Sequence, residues 1–194
     1  MDRFYLMPTT GSGSGHADPR KPKYADLIDS VPGQRWWMVD YGREPTMLVK
    51  ASLDAATDAT IVADPTVAAF PADLTQAIGA NLGTVQTALE DRNIPGTVVP
   101  AGWTYRQLIR GLIIFFQFTQ RMDGQGVSLF SGGVTLATTF SALSQATKTA
   151  LQDMATSFGF DTSGVTGATT VRQILKLCYD QWPVALLVFG GEQW

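Results

Sequence analysis

Reactive side chains are scarce in this 194-residue chain: it has one cysteine, Cys178, and one histidine, His16. A lone cysteine excludes an internal disulfide. A lone histidine far from that cysteine leaves neither a zinc site nor a Ser/His/Asp triad to be built from the usual parts. Charge is sparse as well, at 16% of residues against the ~25% usual for soluble domains. The formal net charge of −3 argues against a generic nucleic-acid coat, which would carry a basic face or tail. No apolar run approaches the ~20 residues that span a bilayer. Leu112 to Phe116 is a short run inside a stretch that Arg110 and Gly111 interrupt. Neither a membrane span nor a secretory leader is expected, and the chain reads as soluble.

Glycine, serine and proline are instead concentrated near the N-terminus. Gly11 to Lys23 holds almost no side chain able to join a core. A free segment of that kind cannot offset its own ordering entropy. Residues 1–23 therefore read as an extended arm that takes its shape from its own domain or a neighbouring subunit. Gly11, Gly13, Gly15, His16, Arg20, Lys21 and Lys23 are its candidate interface residues. A phosphate loop is a poor reading, because Gly15 leads into His16-Ala17-Asp18-Pro19 and not into Lys-Ser/Thr at a helix start.

Residues 24–71 read as a small α+β domain. Two β-rich runs, Arg35–Asp40 and Thr46–Ala51, flank a loop of hairpin length. Phe4–Met7 is a further short strand ended by Pro8. Asp54 is placed to cap a helix over Ala55–Val62, which Asp64-Pro65 stops. Val67–Pro71 returns as an edge strand. If Trp36 and Trp37 lie in a strand they face opposite ways, so one, here Trp37, is a candidate contact.

Residues 72–194 read as mainly helical. Leu74, Ile78, Leu82, Val85 and Leu89 form an amphipathic stripe. A second helix, Tyr105 to Met122, is apolar on most sides and is expected to be deeply buried. A third stripe runs from Phe140 to Phe158, and a fourth helix from Thr170 to Trp182. The last residues, 184–194, read as a strand or extended tail ending on Trp194, a candidate anchor.

Two likenesses link the helical segments. Thr87–Asp91 matches Thr149–Asp153 at an offset of 62, and Thr104–Ile109 matches Thr170–Leu175 at an offset of 66. The second is a Thr-x-x-Gln capping box in both copies, which starts a helix at one relative position. The reading is of two helix–loop–helix units, 72–122 and 134–183, either duplicated or alike by chance. The four-residue difference is assigned to the intervening loop.

Arg106 and Arg172 occupy matching places near helix N-termini, where the macrodipole disfavours a cation. They are read as exposed or as seeking a carboxylate or an interface. The carboxylates are scattered: Asp54 and Asp58 lie one turn apart and Glu90-Asp91 are adjacent, as solvated caps and helix faces would be. Cys178, within an apolar helical run, reads as a small core residue. No cofactor or metal is expected.

The loop Gly11-Ser12-Gly13 through Asp18-Pro19-Arg20-Lys21-Pro22-Lys23-Tyr24 resembles small structural proteins of tailed bacteriophages. So do Met47-Leu48-Val49-Lys50-Ala51 leading to Ala63-Asp64-Pro65, and the helix start Trp103-Thr104-Tyr105-Arg106. The resemblance covers mainly residues 1 to 122. It implies a non-enzymatic virion component, made in the host cytoplasm and placed at the capsid or head–tail junction. Its partners would be copies of itself and other virion proteins, with no sequence-specific nucleic acid and no membrane. The alternatives are a phage-encoded enzyme acting on the host envelope and a soluble helical adaptor that binds a peptide.

Overall fold

A computed structural model describes residues 2–9, 21–28, 32–39, 46–127 and 129–189. The chain is α+β and divides into two compact units, residues 1–76 and 77–194.

The first unit is a four-stranded antiparallel sheet in the order β2-β3-β1-β4. Its strands are β1 (Asp2–Pro8), β2 (Arg35–Val39), β3 (Thr46–Ser52) and β4 (Ala68–Ala69). Strand β1 lies inside the sheet, with Tyr5 opposite Val49 on one side and opposite Ala69 on the other. Alternation along β1 and β3 sends Tyr5, Met7, Met47, Val49 and Ala51 to one face. There they pack with Ile28 of the single-turn helix α1 (Ala25–Ile28), Leu53, and Ile61 of α2 (Ala55–Val62). Phe4, Leu6 and Leu48, on the opposite face, are buried too. The strand expected at Phe4–Met7 is thus β1, at the start of the segment read as an arm, and residues 10–20 of that segment lie outside the described residues. Phe4-Tyr5-Leu6-Met7 is a run of four apolar side chains, and burying them in a sheet outweighs the cost of ordering so short a strand.

Helix α2 begins where its sequence says it should. The Asp54 carboxylate accepts the amides of Ala56 and Thr57, each at 2.9 Å, filling two of the donors that a helix start leaves open.

The second unit holds α3 (Leu82–Glu90), α4 (Tyr105–Gly124), α5 (Gln145–Ser157), α6 (Val171–Asp180) and α7 (Trp182–Phe189). Twelve of the twenty residues of α4 are buried, which makes it the axis of this unit. Helix α6 packs against it at Gly111. A Cβ there would stand 2.6 Å from Tyr179 Cδ1, so the absent side chain is what lets the ring in. Phe115 and Trp103 flank the same ring, with centroids at 6.4 and 6.1 Å. Cys178 is buried beside it in α6, and burial pushes its thiol pKa up.

Two expectations are corrected. The stripe from Leu74 does not form one helix: a 3₁₀ turn, Gly79–Asn81, precedes α3, and Gly79 has a φ of +46° that interrupts regular helix. The segment after Pro183 is helical and not a strand. Proline is tolerated in the first turn of a helix, where its missing N–H has no intrahelical partner to lose. An apolar run such as Val184–Phe189 fits a helix as well as a strand.

The helical segments 73–109 and 135–175 repeat one backbone plan. Ile78 N–H donates to Trp103 C=O at 2.8 Å, and Phe140 N–H donates to Thr169 C=O at 2.7 Å. An isolated bridge joins Ala77 to Thr104, and another joins Thr139 to Thr170. The helices end alike: Ile94 N–H reaches Leu89 C=O, and Phe160 N–H reaches Ala155 C=O. Asn93 (φ +55°) and Gly159 (φ +72°) make the left-handed turn, as in a Schellman end. Val99 to Gly96 and Val165 to Thr162 close equivalent turns. The offset is 62 before α3 and α5 and 66 after them, so the extra four residues lie within the helix. Helix α5 has 13 residues and α3 has 9. This corrects the assignment to the loop and has a physical reason. Four residues are close to one turn of 3.6, so the insertion lengthens the helix while keeping its buried face.

Candidate functional site

Two carboxylates among the described residues, Asp64 and Glu90, each gather several polar partners. The first closes the root of the glycine-serine segment. Thr9 is bridged to Pro22, and Lys23 N–H donates to Pro8 C=O at 2.9 Å. The Lys23 ammonium lies 2.6 Å from Asp64 Oδ2 and donates to Thr66 Oγ1 at 3.1 Å. The Tyr24 hydroxyl donates to the same Asp64 oxygen at 2.7 Å, while Oδ1 accepts the Thr66 amide and hydroxyl at 2.8 and 2.7 Å. Lys23, then Tyr24 and Thr66, hold the Asp64 carboxyl well below the usual carboxylate range. The sequence marks Asp64 only as a helix stop before proline. It is also the point on which Lys23, Tyr24 and Thr66 converge.

A related contact ties α2 to β1. The Tyr5 hydroxyl donates to Asp58 Oδ1 at 2.6 Å, and Arg3 Nη1 lies 2.9 Å from Asp58 Oδ2. Burial, then the bond to Asp58, pushes the Tyr5 hydroxyl pKa up. Asp58 is thus half-buried and paired, and not a solvated face.

The second centre is Glu90, in the helical unit. Its Oε1 accepts the amides of Gly96 and Thr97 at 2.9 and 3.0 Å, the Thr97 hydroxyl at 3.1 Å and Arg172 Nε at 3.1 Å. Its Oε2 accepts Arg172 Nη2 at 2.7 Å. This two-pronged guanidinium–carboxylate geometry is the strong form of the contact. Glu90 sits at the C-terminal end of α3 and Arg172 in the first turn of α6, so the macrodipole disfavours each where it stands. Each offsets the other. Burial works to raise the Glu90 pKa, but Arg172 and Thr97 outweigh it and hold the carboxyl below its ordinary value.

The interface candidates from sequence therefore separate. Gly11, Gly13, Gly15, His16, Arg20 and Trp194 lie outside the described residues, as does the side chain of Trp37. Lys21 is exposed, and Lys23 is committed to Asp64. Arg172 has found its carboxylate in Glu90. Arg106 is exposed on the first turn of α4. Glu90 was missed, although an acid at a helix C-terminus facing a run of Gly and Thr is an available signal.

Among the described residues no group of three or more His, Cys, Asp or Glu side chains is placed to hold a metal ion, and no helix is long and apolar enough to cross a membrane. A cavity of about 60 Å³ lies among Phe140, Leu151, Gln152, Ala155, Thr162, Val165 and Ile174. Ligand pockets are usually hundreds of Å³, so this one has room for part of a side chain. No family of known proteins, no curated protein and no solved structure matches this chain. What the protein does must be argued from its own geometry.

Proposed function

We propose that the chain is a non-enzymatic structural component of a bacteriophage particle, assembling with copies of itself and other virion proteins. The observation that carries this reading is the clamp at the root of residues 10–20. Here eleven residues with almost no core-forming side chain are closed by a β-bridge, a backbone bond and a three-partner carboxylate. Fixing both ends lowers the entropy that the segment would lose on settling against another surface. That is the economy expected of an intersubunit contact, and it agrees with the resemblance carried by Gly11–Tyr24.

Mass spectrometry of gradient-purified particles should find the chain in stoichiometric amount. Deleting Gly11–Gly15 should abolish incorporation while leaving the thermal melt unchanged. A chain confined to the particle-free fraction would overturn the reading, and normal incorporation of the deletion would remove the role of the loop.

A further inference from the structure

The sheet of the first unit has two edges, and the chain treats them differently. On the outer side of β1, strand β4 is two residues long, and Pro71 lies just beyond it. Other backbone closes that side at both ends of β1. Phe70 N–H donates to Phe4 C=O at 2.9 Å, Lys23 N–H donates to Pro8 C=O at 2.9 Å, and Thr9 is bridged to Pro22. A very short strand, a proline and cover by other backbone are devices that stop an edge from pairing with another chain.

The β2 edge carries none of these devices. Arg35-Trp36-Trp37-Met38-Val39 has five residues, no proline, no lysine and a single charge. Strand β3 lies on one side of it, from Arg35 opposite Lys50 to Val39 opposite Thr46. Among the described residues no strand, bridge or backbone hydrogen bond occupies its other side. Half of the backbone N–H and C=O groups of an edge strand point away from its one neighbour. An apolar edge left in that state is a template for a further strand.

A second β2 fits that template. About a two-fold axis normal to the sheet, β2 of one copy runs antiparallel to β2 of another, and the antiparallel pattern continues. With the axis at Trp37, Trp36 stands opposite Met38 and Arg35 opposite Val39. The single charge of the strand then never meets itself, so the like-charge pair that would oppose self-association is absent. We infer that two copies of the chain join edge to edge through β2, in one continuous sheet of order β4-β1-β3-β2-β2-β3-β1-β4. The protected β4 side ends the sheet in both directions, so the contact makes a closed dimer and not a fibre. This deepens the proposed function, resting on its self-association and naming the surface that carries it.

The test uses the full chain in two forms, Arg35→Cys and Val39→Cys. The native Cys178 is buried and takes no part. Opposed residues of an antiparallel pair lie about 4.5–5.5 Å apart at Cα, within disulfide reach. Two copies of one form would hold their new thiols about 13 Å apart along the strand. Under mild oxidation an equal mixture should therefore give a mixed disulfide dimer, identified by intact mass, about ten-fold in excess of the dimers from either form alone. Sedimentation of the parent should approach twice the mass of one chain in the micromolar range. Val39→Lys sets a cation opposite Arg35 and should weaken that dimer about ten-fold with an unchanged far-ultraviolet spectrum. Adding Arg35→Glu to it should restore the dimer. A parent that stays monomeric overturns the proposal, as do single forms that cross-link as well as the mixture. So do β2 amides that gain protection from hydrogen exchange only when other particle proteins are added, since the edge then takes a foreign strand. Particle analysis separates the two ideas. A chain absent from particles that cross-links as expected removes the virion reading alone, and a monomeric chain found in particles removes the β2 contact alone.

Discussion

The two helical segments share a backbone plan but close it differently. In the first, Gly96 brings the connecting loop against α3. A Cβ at that position would stand 2.3 Å from the carbonyl oxygen of Gln86, a contact with backbone that cannot move aside. Gln86 then donates to Val99 C=O at 3.4 Å, and Glu90 binds the loop at Gly96 and Thr97. In the second segment Thr162 stands where Gly96 does and Thr156 where Glu90 does, and the small cavity remains beside α5. Equal hydrogen-bond frames therefore fix where a chain turns. The size and charge of two side chains decide how tightly the turn is sealed.

The most severe way to break this difference is Gly96→Thr, which gives the first segment the residue of the second. Overpacking against backbone should cost about 3 kcal/mol, read as a fall in the denaturation midpoint at unchanged slope. Thr162→Gly, the reverse exchange, should stay within about 1 kcal/mol because the site it vacates is already open. Similar losses for both would show that the seal is not what separates the segments.

Glu90→Gln comes next. It removes the charge that Arg172 pairs with and should destabilise by about 2 kcal/mol at neutral pH, the scale of hydrogen bonds to a charged group. Its pH dependence supplies a second readout. The folded-state Glu90 pKa is depressed, so its contribution is complete above the unfolded carboxyl value and is lost as pH falls through the folded one. Stability of the parent should therefore decline more steeply than that of Glu90→Gln below about pH 5. Parallel curves would mean that Glu90 is not the titrating partner.

Much of this plan is legible in the sequence. The capping boxes at Thr104 and Thr170 and the Asp54 cap were readable because each is local chemistry confined to four residues. The offsets of 62 and 66 were readable for the same reason. Only the position of the four extra residues went astray, because a whole added turn leaves the apolar stripe of α5 intact. The strand at Phe4–Met7 is readable too, because one run of four apolar residues ended by proline decides it within a segment whose average composition is glycine and serine. The Glu90–Arg172 pair spans 82 positions, and no periodicity carries information over that distance. Val184–Phe189 was ambiguous in principle, since an unbroken apolar run has neither period.

The capping boxes offer a milder test. Gln107 Oε1 accepts the Thr104 amide and Gln173 Oε1 accepts the Thr170 amide, both at 2.9 Å, and each threonine hydroxyl accepts the N3 amide. Thr104→Ala and Thr170→Ala should each cost about 1 kcal/mol. The two should be equal within error and additive, because the hydrogen bonds are local to different helices. A much larger loss at Thr104 would mean that the cap of α4 also sets the packing of the helix on which the whole unit is arranged.

The smallest expected effect concerns the paired arginines. Arg172→Ala strips Glu90 of its two-pronged donor and should cost about 2 kcal/mol. Arg106→Ala should change stability by less than about 0.5 kcal/mol, since an exposed cation is lost from a helix N-terminus that disfavours it. Thermal melts of the two variants under one buffer decide this directly. The contrast matters because a residue that folding does not use can be altered without disturbing the body. A defect in assembly that appears with Arg106→Ala, in protein that melts like the parent, must arise at the surface. If Arg106→Ala were instead as costly as Arg172→Ala, the first segment would hold a counter-charge for Arg106 of its own, and the equivalence of the two positions would extend to their partners.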